Sequence, residues 1–192
     1  MQTATFFLIG MALTPSTGVR AYASGQSAVA SADEVAGRPH PETARIISEA
    51  ELKTELESHR GRAVILHFWA SWCVPCLAEL PLVARLAQDS RRKGVDFLAV
   101  SLDNPSRQSA QHVSALLAQR IRDPQWSAIL KIADADAFMT SIDPNWEGAI
   151  PVFFAYDQNS RLRRSHLGNI NQVEFDELIS DLTSPLPSSS KK

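Results

Sequence analysis

The stretch of sequence that decides the fold lies between Val64 and Cys76. It begins with the apolar run Val64-Ile65-Leu66-His67-Phe68-Trp69-Ala70 and continues, after Ser71, as Trp72-Cys73-Val74-Pro75-Cys76. An apolar run of this length with one polar break predicts a buried β-strand. Pro75 suits the first turn of a helix, where its missing amide donor would have had no partner. The two cysteines are therefore expected where a buried strand passes into a helix.

Cys73 and Cys76 are the only two cysteines among the 192 residues, and their spacing indicates redox chemistry. Unpaired backbone amides and the helix dipole at a helix N-terminus favour a thiolate over a thiol, which would make Cys73 the nucleophile. Cys76, three residues later, is close enough to resolve a mixed disulfide. The pair predicts thiol–disulfide exchange.

The sequence argues against two other roles for the cysteine pair. A structural zinc site needs four ligands, and the sequence has neither a second Cys-x-x-Cys nor histidines at ligand spacing. A purely structural disulfide would close a very short loop and so constrain the unfolded chain little. We therefore expect a redox pair with no metal and no organic cofactor.

Length and charge set broad limits on the protein class. A chain of this size predicts one domain with tails. The formal net charge is -2 with interspersed signs, which gives no basic stripe for nucleic acid. We expect a monomer whose partners are proteins and not nucleic acids.

The N-terminal segment bears on the compartment. Residues 6–13 are apolar, and Ala21-Tyr22-Ala23 forms a small-x-small site, so residues 1–23 resemble a signal peptide cleaved near Ala23. An ordinary flexible N-terminus is the alternative, since no Lys or Arg precedes the apolar run. That run is shorter than the roughly 20 residues needed to span a bilayer, which argues against a membrane anchor. We expect a flexible linker at 24–45, a domain at 46–183 and a disordered tail at 184–192.

Strands and helices alternate through the predicted domain, which indicates an α/β fold with a parallel core. Ser48 and Glu51 form a capping-box pattern for the first helix, and Asn171 and Glu174 do so for the last. Pro81 is expected to kink the cysteine-bearing helix. The predicted elements are a helix at 49–58, a strand at 63–70, a helix after Cys73, a strand at 95–101, a helix opened by Asn104-Pro105, a strand at 128–132, a helix at 134–142, a hairpin at 151–156 and 161–167, and a helix from Asn171 to Leu182.

The segment Phe68-Trp69-Ala70-Ser71-Trp72-Cys73-Val74-Pro75-Cys76, with Glu79, Pro81 and the step Ile150-Pro151, resembles the TlpA-like exported thiol–disulfide oxidoreductases, a group that includes the ResA-type reductases. The resemblance covers about residues 46–182. It implies a thioredoxin fold: a central mixed sheet flanked by helices, with an additional strand and helix between about Ser106 and Ile142. No organic cofactor is implied.

The same resemblance assigns roles to several residues. It implies that Glu79 is an acid that handles protons beside Cys76, the alternative being a solvated helix glutamate. It implies a cis bond before Pro151, the alternative being a trans proline that opens an edge strand. The backbone of Ile150 would then pair with an extended substrate chain.

The remaining expected contacts with substrate come from Trp72 and Pro75. Trp72 is expected beside Cys73 as a partly exposed apolar platform, the alternative being a core tryptophan. Pro75 is expected to tune the cysteine pair and to line the substrate site.

His67 departs from the thioredoxin pattern, which has a buried Asp at this strand position. An imidazole there could move the proton of the resolving thiol, or it could be a core histidine hydrogen-bonded to the backbone. We favour the structural role, because a buried neutral histidine donates and accepts like other core polar groups.

The resemblance implies a reductase of disulfides in exported proteins, located outside the cytoplasm in a bacterial periplasm. An exported or membrane-bound dithiol protein would supply the electrons, and cytochrome c apoproteins are one implied substrate class. A peroxide-linked redoxin and a copper-handling thioredoxin-like protein are the alternatives.

Overall fold

A computed structural model describes residues 43–120 and 127–183. The predicted signal peptide, most of the predicted linker and the predicted tail lie outside these residues. The elements are β1 (Arg45–Ser48), α1 (Glu49–Ser58), β2 (Ala63–Trp69), α2 (Val74–Arg92), β3 (Val95–Ser101), α3 (Arg107–Arg120), β4 (Ser127–Lys131), α4 (Ala135–Ile142), β5 (Val152–Tyr156), β6 (Leu162–Leu167) and α5 (Gln172–Thr183).

The six strands form one mixed sheet in the order β1-β4-β3-β2-β5-β6. Strands β1, β4, β3 and β2 pair in parallel, whereas β5 runs antiparallel to β2, and β6 antiparallel to β5. Phe68 of β2 is opposite Val100 on one side and Val152 on the other. The predicted α/β class and mixed sheet are confirmed, with the cysteine-bearing strand at the centre.

Alternate residues of β2 face opposite sides of the sheet, and both faces are buried. Leu66 and Phe68 belong to a core cluster that also contains residues of α1 and α4. Ile65 packs in a cluster with residues of α2 and α5, and Trp69 in one with residues of α2 and α3. His67 has the same parity as Ile65 and Trp69, so it points to the side on which α2 lies.

The capping signals at both ends of the domain are confirmed. Ser48 accepts a hydrogen bond from the amide of Glu51, whose carboxylate bonds back to Ser48. Asn171 makes the same reciprocal contact with Glu174. Each capping box provides hydrogen-bond acceptors for amide groups that a helix N-terminus would otherwise leave without partners.

Two local predictions differ from the structure. The sequence does not predict strand β1, and the first residue of that strand, Arg45, falls in the predicted linker. Helix α3 begins at Arg107, after a cap by Ser106, whose hydroxyl accepts from the amide of Ser109. Asn104 is therefore not the cap, because Ser106, two residues later, caps the helix. Pro81 lies inside α2, as expected.

Within residues 43–120 and 127–183, no helix is both long and apolar enough to cross a membrane.

Candidate active site

The two cysteines lie at the junction of β2 and α2. Cys73 is the N-cap of α2, and its Sγ lies 3.3 Å from the amide nitrogen of Cys76, which donates to it. The cysteines are joined by a disulfide whose Cα atoms are 5.2 Å apart. Cys76 is fully buried, whereas Cys73 is 5% exposed. Both residues are therefore buried, and Cys73 is the member of the pair that retains some surface exposure.

Asp103, at the carboxyl end of β3, holds the loop before Cys73. Its carboxylate accepts hydrogen bonds from the amide of Ser71 at 2.9 Å and from the Ser71 hydroxyl at 2.5 Å. The Ser101 hydroxyl donates to the same carboxylate at 2.5 Å. Asp103 was not predicted as a site residue. Its position was nevertheless a usable signal, because the carboxyl ends of neighbouring parallel strands meet at the same edge of a sheet.

A second loop approaches the sulfurs from the start of β5. The Ile150–Pro151 peptide bond is cis, as the resemblance implies. The carbonyl oxygen of Ile150 lies 3.8 Å from Sγ of Cys73, and Pro151 itself is buried. The carbonyl of Pro151 accepts a 2.8 Å hydrogen bond from the amide of Gly168. The chain before β5 is thus held against the cysteine pair.

Apolar side chains surround the pair on the outside. Trp72 is 65% exposed and Val74 76% exposed, and Pro75 is also exposed. The alternative of a core tryptophan at Trp72 is therefore wrong. Exposed apolar groups beside a reactive centre are suited to contact with another protein.

Glu79 is buried, with 6% of its surface exposed, so the alternative of a solvated helix glutamate is wrong. Its Oε2 accepts hydrogen bonds from the side-chain amide of Asn169 at 3.1 Å and from the backbone amide of Ile170 at 3.2 Å. Burial raises the pKa of the Glu79 carboxyl to about 7, while these two hydrogen bonds and the nearby His166 act in the opposite direction. A carboxyl with this pKa exchanges protons near neutral pH.

Asn169 connects the segment after β6 with two residues of α2. Its Nδ2 donates to Glu79 and also to the carbonyl oxygen of Pro75, at 3.1 Å in each case. Asn169 was not predicted, and no sequence signal indicated it, because it lies in a short connection between β6 and α5 with no motif.

His67 lies behind Glu79 in the interior and is fully buried. Its Nδ1 is 3.2 Å from the carbonyl oxygen of Val152, and its ring stacks on Phe153 with centroids 4.1 Å apart. Burial lowers the pKa of His67 to about 3, so the imidazole is neutral. The hydrogen bond to the backbone agrees with the favoured structural role, but the second ring nitrogen, Nε2, lies 3.8 Å from Oε1 of Glu79.

The part of the chain that the structure describes contains no group of three or more His, Cys, Asp or Glu side chains that could hold a metal ion.

Comparison with known proteins places this geometry in context. The model of a family described as Redoxin matches residues 36–182. The thiol-disulfide oxidoreductase ResA of Bacillus thuringiensis (strain Al Hakam) is 39% identical over 131 residues, which are 68% of this chain and 69% of that protein. ResA of Oceanobacillus iheyensis is 43% identical over 60 residues, but this match spans only 31% of either protein.

One solved structure illustrates the likeness of the fold. The exposed lipoprotein thioredoxin of Streptococcus pneumoniae strain TIGR4 superposes with a TM-score of 0.51 at 21% identity. The superposition covers 66% of this chain and 90% of that one. At this identity the comparison supports the thioredoxin-like arrangement of strands and helices.

Proposed function

This chain belongs to the Redoxin family, and from that membership and the geometry around Cys73 and Cys76 we propose that it is a thiol-disulfide oxidoreductase that reduces disulfides in other proteins. One observation carries the proposal. The sulfur of Cys73 caps a helix N-terminus, and Cys73 retains 5% exposure in a disulfide whose other member, Cys76, is fully buried. This arrangement favours a thiolate at Cys73 in the reduced protein and protects the resolving thiol of Cys76.

The reaction has two steps. The Cys73 thiolate attacks one sulfur of a substrate disulfide, a Cys73–substrate disulfide forms, and the other substrate sulfur leaves as a thiolate that takes up a proton. Cys76 then loses its proton and attacks Sγ of Cys73, which releases the second substrate sulfur and forms the Cys73–Cys76 disulfide. Two electrons pass from the protein to the substrate, and a second dithiol must return them for another cycle.

Glu79 is the group we assign to the proton of Cys76. It lies three residues after Cys76 on α2, and residues at this spacing are neighbours on a helix. Its pKa of about 7 allows the carboxylate to accept the proton of Cys76 when that thiol attacks, and to return it when the disulfide is opened. The hydrogen bonds from Asn169 and Ile170 fix the orientation of the carboxyl group.

We assign the substrate contacts to the surface around Cys73. Trp72 and Pro75 offer exposed apolar contact, and an extended segment of substrate would pair with the backbone of Ile150, beside Pro151. Such strand addition reads the substrate mainly through its main chain, which suits an enzyme that accepts several proteins.

We place this reaction outside the cytoplasm, after removal of a signal peptide near Ala23, with an exported or membrane-bound dithiol protein as electron donor. The apolar segment near the N-terminus supports this, as does a structural relative described as an exposed lipoprotein. Apoproteins of cytochrome c are the substrate class that we propose to test first.

The first experiment separates the two cysteines. Reduced protein would be tested for reduction of insulin disulfides alongside the Cys73→Ser and Cys76→Ser variants. We expect Cys73→Ser to be inactive, and Cys76→Ser to accumulate mixed disulfides that appear as larger species on a non-reducing gel. Brief alkylation at mildly acidic pH should label Cys73 first, and preferential labelling of Cys76 would reverse the assignment.

A second measurement shows whether the protein acts as a reductase or as an oxidase. Equilibrium titration of the cysteine pair against a thiol buffer should give a potential near that of thioredoxin, about -270 mV, for a reductase. A value near about -120 mV would indicate an oxidase instead. Rapid turnover of hydrogen peroxide, or tight binding of Cu(I) to the reduced pair, would favour the peroxide-linked or copper-handling alternatives.

A further inference from the structure

Two buried polar atoms face each other behind the cysteine pair. Nε2 of His67 and Oε1 of Glu79 each lack a hydrogen-bond partner among the residues that the structure describes. They lie 3.8 Å apart, with 0% of one side chain exposed and 4% of the other. A buried polar atom without a partner costs free energy, so a paired arrangement of both atoms should be favoured.

The hydrogen bond at the other side of the imidazole determines which nitrogen of His67 carries the proton. A backbone carbonyl oxygen only accepts hydrogen bonds, so the 3.2 Å contact with Val152 requires the proton on Nδ1. The ring is neutral, because burial lowers its pKa to about 3. Nε2 therefore presents a lone pair to Glu79.

The hydrogen bonds of Glu79 divide its two oxygens in a complementary way. Oε2 accepts from Asn169 and from the amide of Ile170, so it is the oxygen that keeps lone pairs. Oε1 has no hydrogen-bond partner in the described part of the chain, and Nε2 of His67 lies 3.8 Å from it. If Glu79 is ionised, two lone pairs oppose each other across this contact. If Glu79 is protonated on Oε1, the same contact becomes a hydrogen bond to Nε2.

We propose that His67 is a positioning residue for Glu79: its Nε2 accepts a hydrogen bond from protonated Oε1, holds the carboxyl group in one orientation and stabilises its protonated form. The 3.8 Å separation is longer than a hydrogen bond and contracts when Oε1 carries the proton. This inference rests on the proposed function, in which Glu79 is the group that exchanges a proton with Cys76.

The effect on the reaction concerns the proton balance of Cys76. When an incoming dithiol breaks the Cys73–Cys76 bond, the sulfur of Cys76 leaves with the electron pair and needs one proton. A Glu79 carboxyl kept protonated by His67 supplies that proton and becomes a carboxylate. When Cys76 later attacks, the carboxylate takes the proton back. His67 stays neutral throughout and tunes the pH range in which this exchange works.

Other titratable groups also lie near Glu79. His166 of β6, when charged, lowers the pKa of Glu79. Its Nε2 lies 3.0 Å from the carbonyl oxygen of Asn169 and 3.9 Å from a carboxylate oxygen of Glu174. Cys76, three residues before Glu79 on α2, does not titrate in the disulfide form. The rings next to His67 on β3 and β5, Phe97 and Phe153, carry no charge.

The tautomer of His67 can be read without any activity assay. The measurement is nitrogen-15 and carbon-13 NMR of the full-length oxidised protein between about pH 4 and 9. In this form the cysteines are joined in a disulfide and do not titrate. We expect a neutral His67 with its proton on Nδ1, and an Nε2 signal that moves with the same midpoint as the carboxyl carbon of Glu79. A proton on Nε2, or an Nε2 signal that ignores the Glu79 titration, would overturn the proposal.

A variant at His67 provides a second test, in which the titration of Glu79 is measured. His67→Phe keeps an aromatic ring against Phe153 but removes the acceptor, so the titration midpoint of Glu79 should fall by about one pH unit. His112→Phe, at an exposed position of α3, is the matched control and should leave the midpoint unchanged. An unchanged midpoint in folded His67→Phe protein would contradict the proposal. If that variant does not fold, the tautomer measurement on the unmodified protein decides.

The two proposals can fail separately. A protein that shows the expected tautomer and coupled titration but reduces no insulin would contradict the proposed function and leave the His67–Glu79 contact standing. A protein that reduces insulin but carries its His67 proton on Nε2 would retain the proposed function and lose this inference.

Discussion

Asn169 and Glu79 are 90 positions apart in the chain, yet Nδ2 of Asn169 lies 3.1 Å from Oε2 of Glu79. The same nitrogen is 3.1 Å from the carbonyl oxygen of Pro75. One side chain therefore ties the end of the β5–β6 hairpin to the first turn of the cysteine-bearing helix. The position of the acid relative to the sulfurs depends on the packing of the hairpin against α2.

Replacing Asn169 by Ala should raise the pKa of Glu79 further, because the hydrogen bond from Asn169 stabilises the carboxylate. The measurement is the carboxyl carbon-13 titration of Glu79 in the oxidised protein, with Asn104→Ala at an exposed loop position as control. A midpoint that stays the same or falls would show that the contact does not control this acid.

Glu79→Gln should change how stability depends on pH. Burial raises the pKa of Glu79 from 4.5 to about 7, so between these values the folded protein holds a proton that the unfolded chain has released. The free energy of unfolding therefore decreases as pH rises through this range and stays reduced above it, by about 1.4 kcal/mol for each unit of pKa difference. Glutamine mimics the protonated acid and does not titrate.

The free energy of unfolding of Glu79→Gln, minus that of the unmodified protein, should thus be larger at pH 8 than at pH 5. Urea unfolding of both oxidised proteins at the two pH values tests this. His67 contributes the opposite slope, since its lowered pKa makes stability fall as pH drops from 6.5 to about 3, and this contribution is present in both proteins. Parallel pH profiles for the two proteins would refute the prediction.

Asp103→Ala should destabilise the protein and slow disulfide exchange. The carboxylate accepts three hydrogen bonds from Ser71 and Ser101, and each hydrogen bond to a charged group contributes about 1.5–3 kcal/mol. We expect a loss of at least about 2 kcal/mol in the free energy of unfolding. Asp136→Ala, at an exposed position in the first turn of α4, should cost less than about 1 kcal/mol. Equal losses in the two variants would contradict this role for Asp103.

Two tryptophans should behave in opposite ways. Trp72 is exposed, so Trp72→Ala should change the free energy of unfolding by less than about 0.5 kcal/mol, yet lower kcat/KM on insulin by about tenfold through lost contact. Trp146 stacks on Phe68 in the core with ring centroids 5.2 Å apart, and Trp146→Ala should cost about 3–5 kcal/mol. If Trp72→Ala reduced activity on a small aromatic disulfide as strongly as on insulin, Trp72 would not be a protein-binding contact.

The cysteine pair and most elements could be predicted from the sequence because each has a local signal, whereas the cis bond at Pro151 was implied by the family resemblance. The burial of Glu79 had no local signal in the sequence. The spacing on α2 puts Glu79 next to Cys76. The groups that bind its carboxylate, however, belong to Asn169 and Ile170, which are about 90 positions later in the chain. The alternative of a solvated helix glutamate at Glu79 was wrong for this reason.

Strand β1 was missed for a related physical reason. It has four residues, and the exposed Arg45 and Ile46 break the alternation by which a half-buried strand is recognised. It becomes a strand because it pairs in parallel with β4, so that Ile47 lies opposite Leu130. The contact of His67 with Glu79 was also beyond local patterns, since it depends on which face of β2 meets α2.

The sulfur of Cys73 is both the atom that we propose to react first and the cap of the helix that carries Cys76. Any bond made at that sulfur changes the acceptor seen by the amide of Cys76, which lies 3.3 Å away. That single amide is therefore a built-in reporter: its proton resonance and its rate of exchange with deuterated solvent should differ between the dithiol, disulfide and mixed-disulfide forms. Each stage of turnover could be followed in solution at one peak, without attaching a dye.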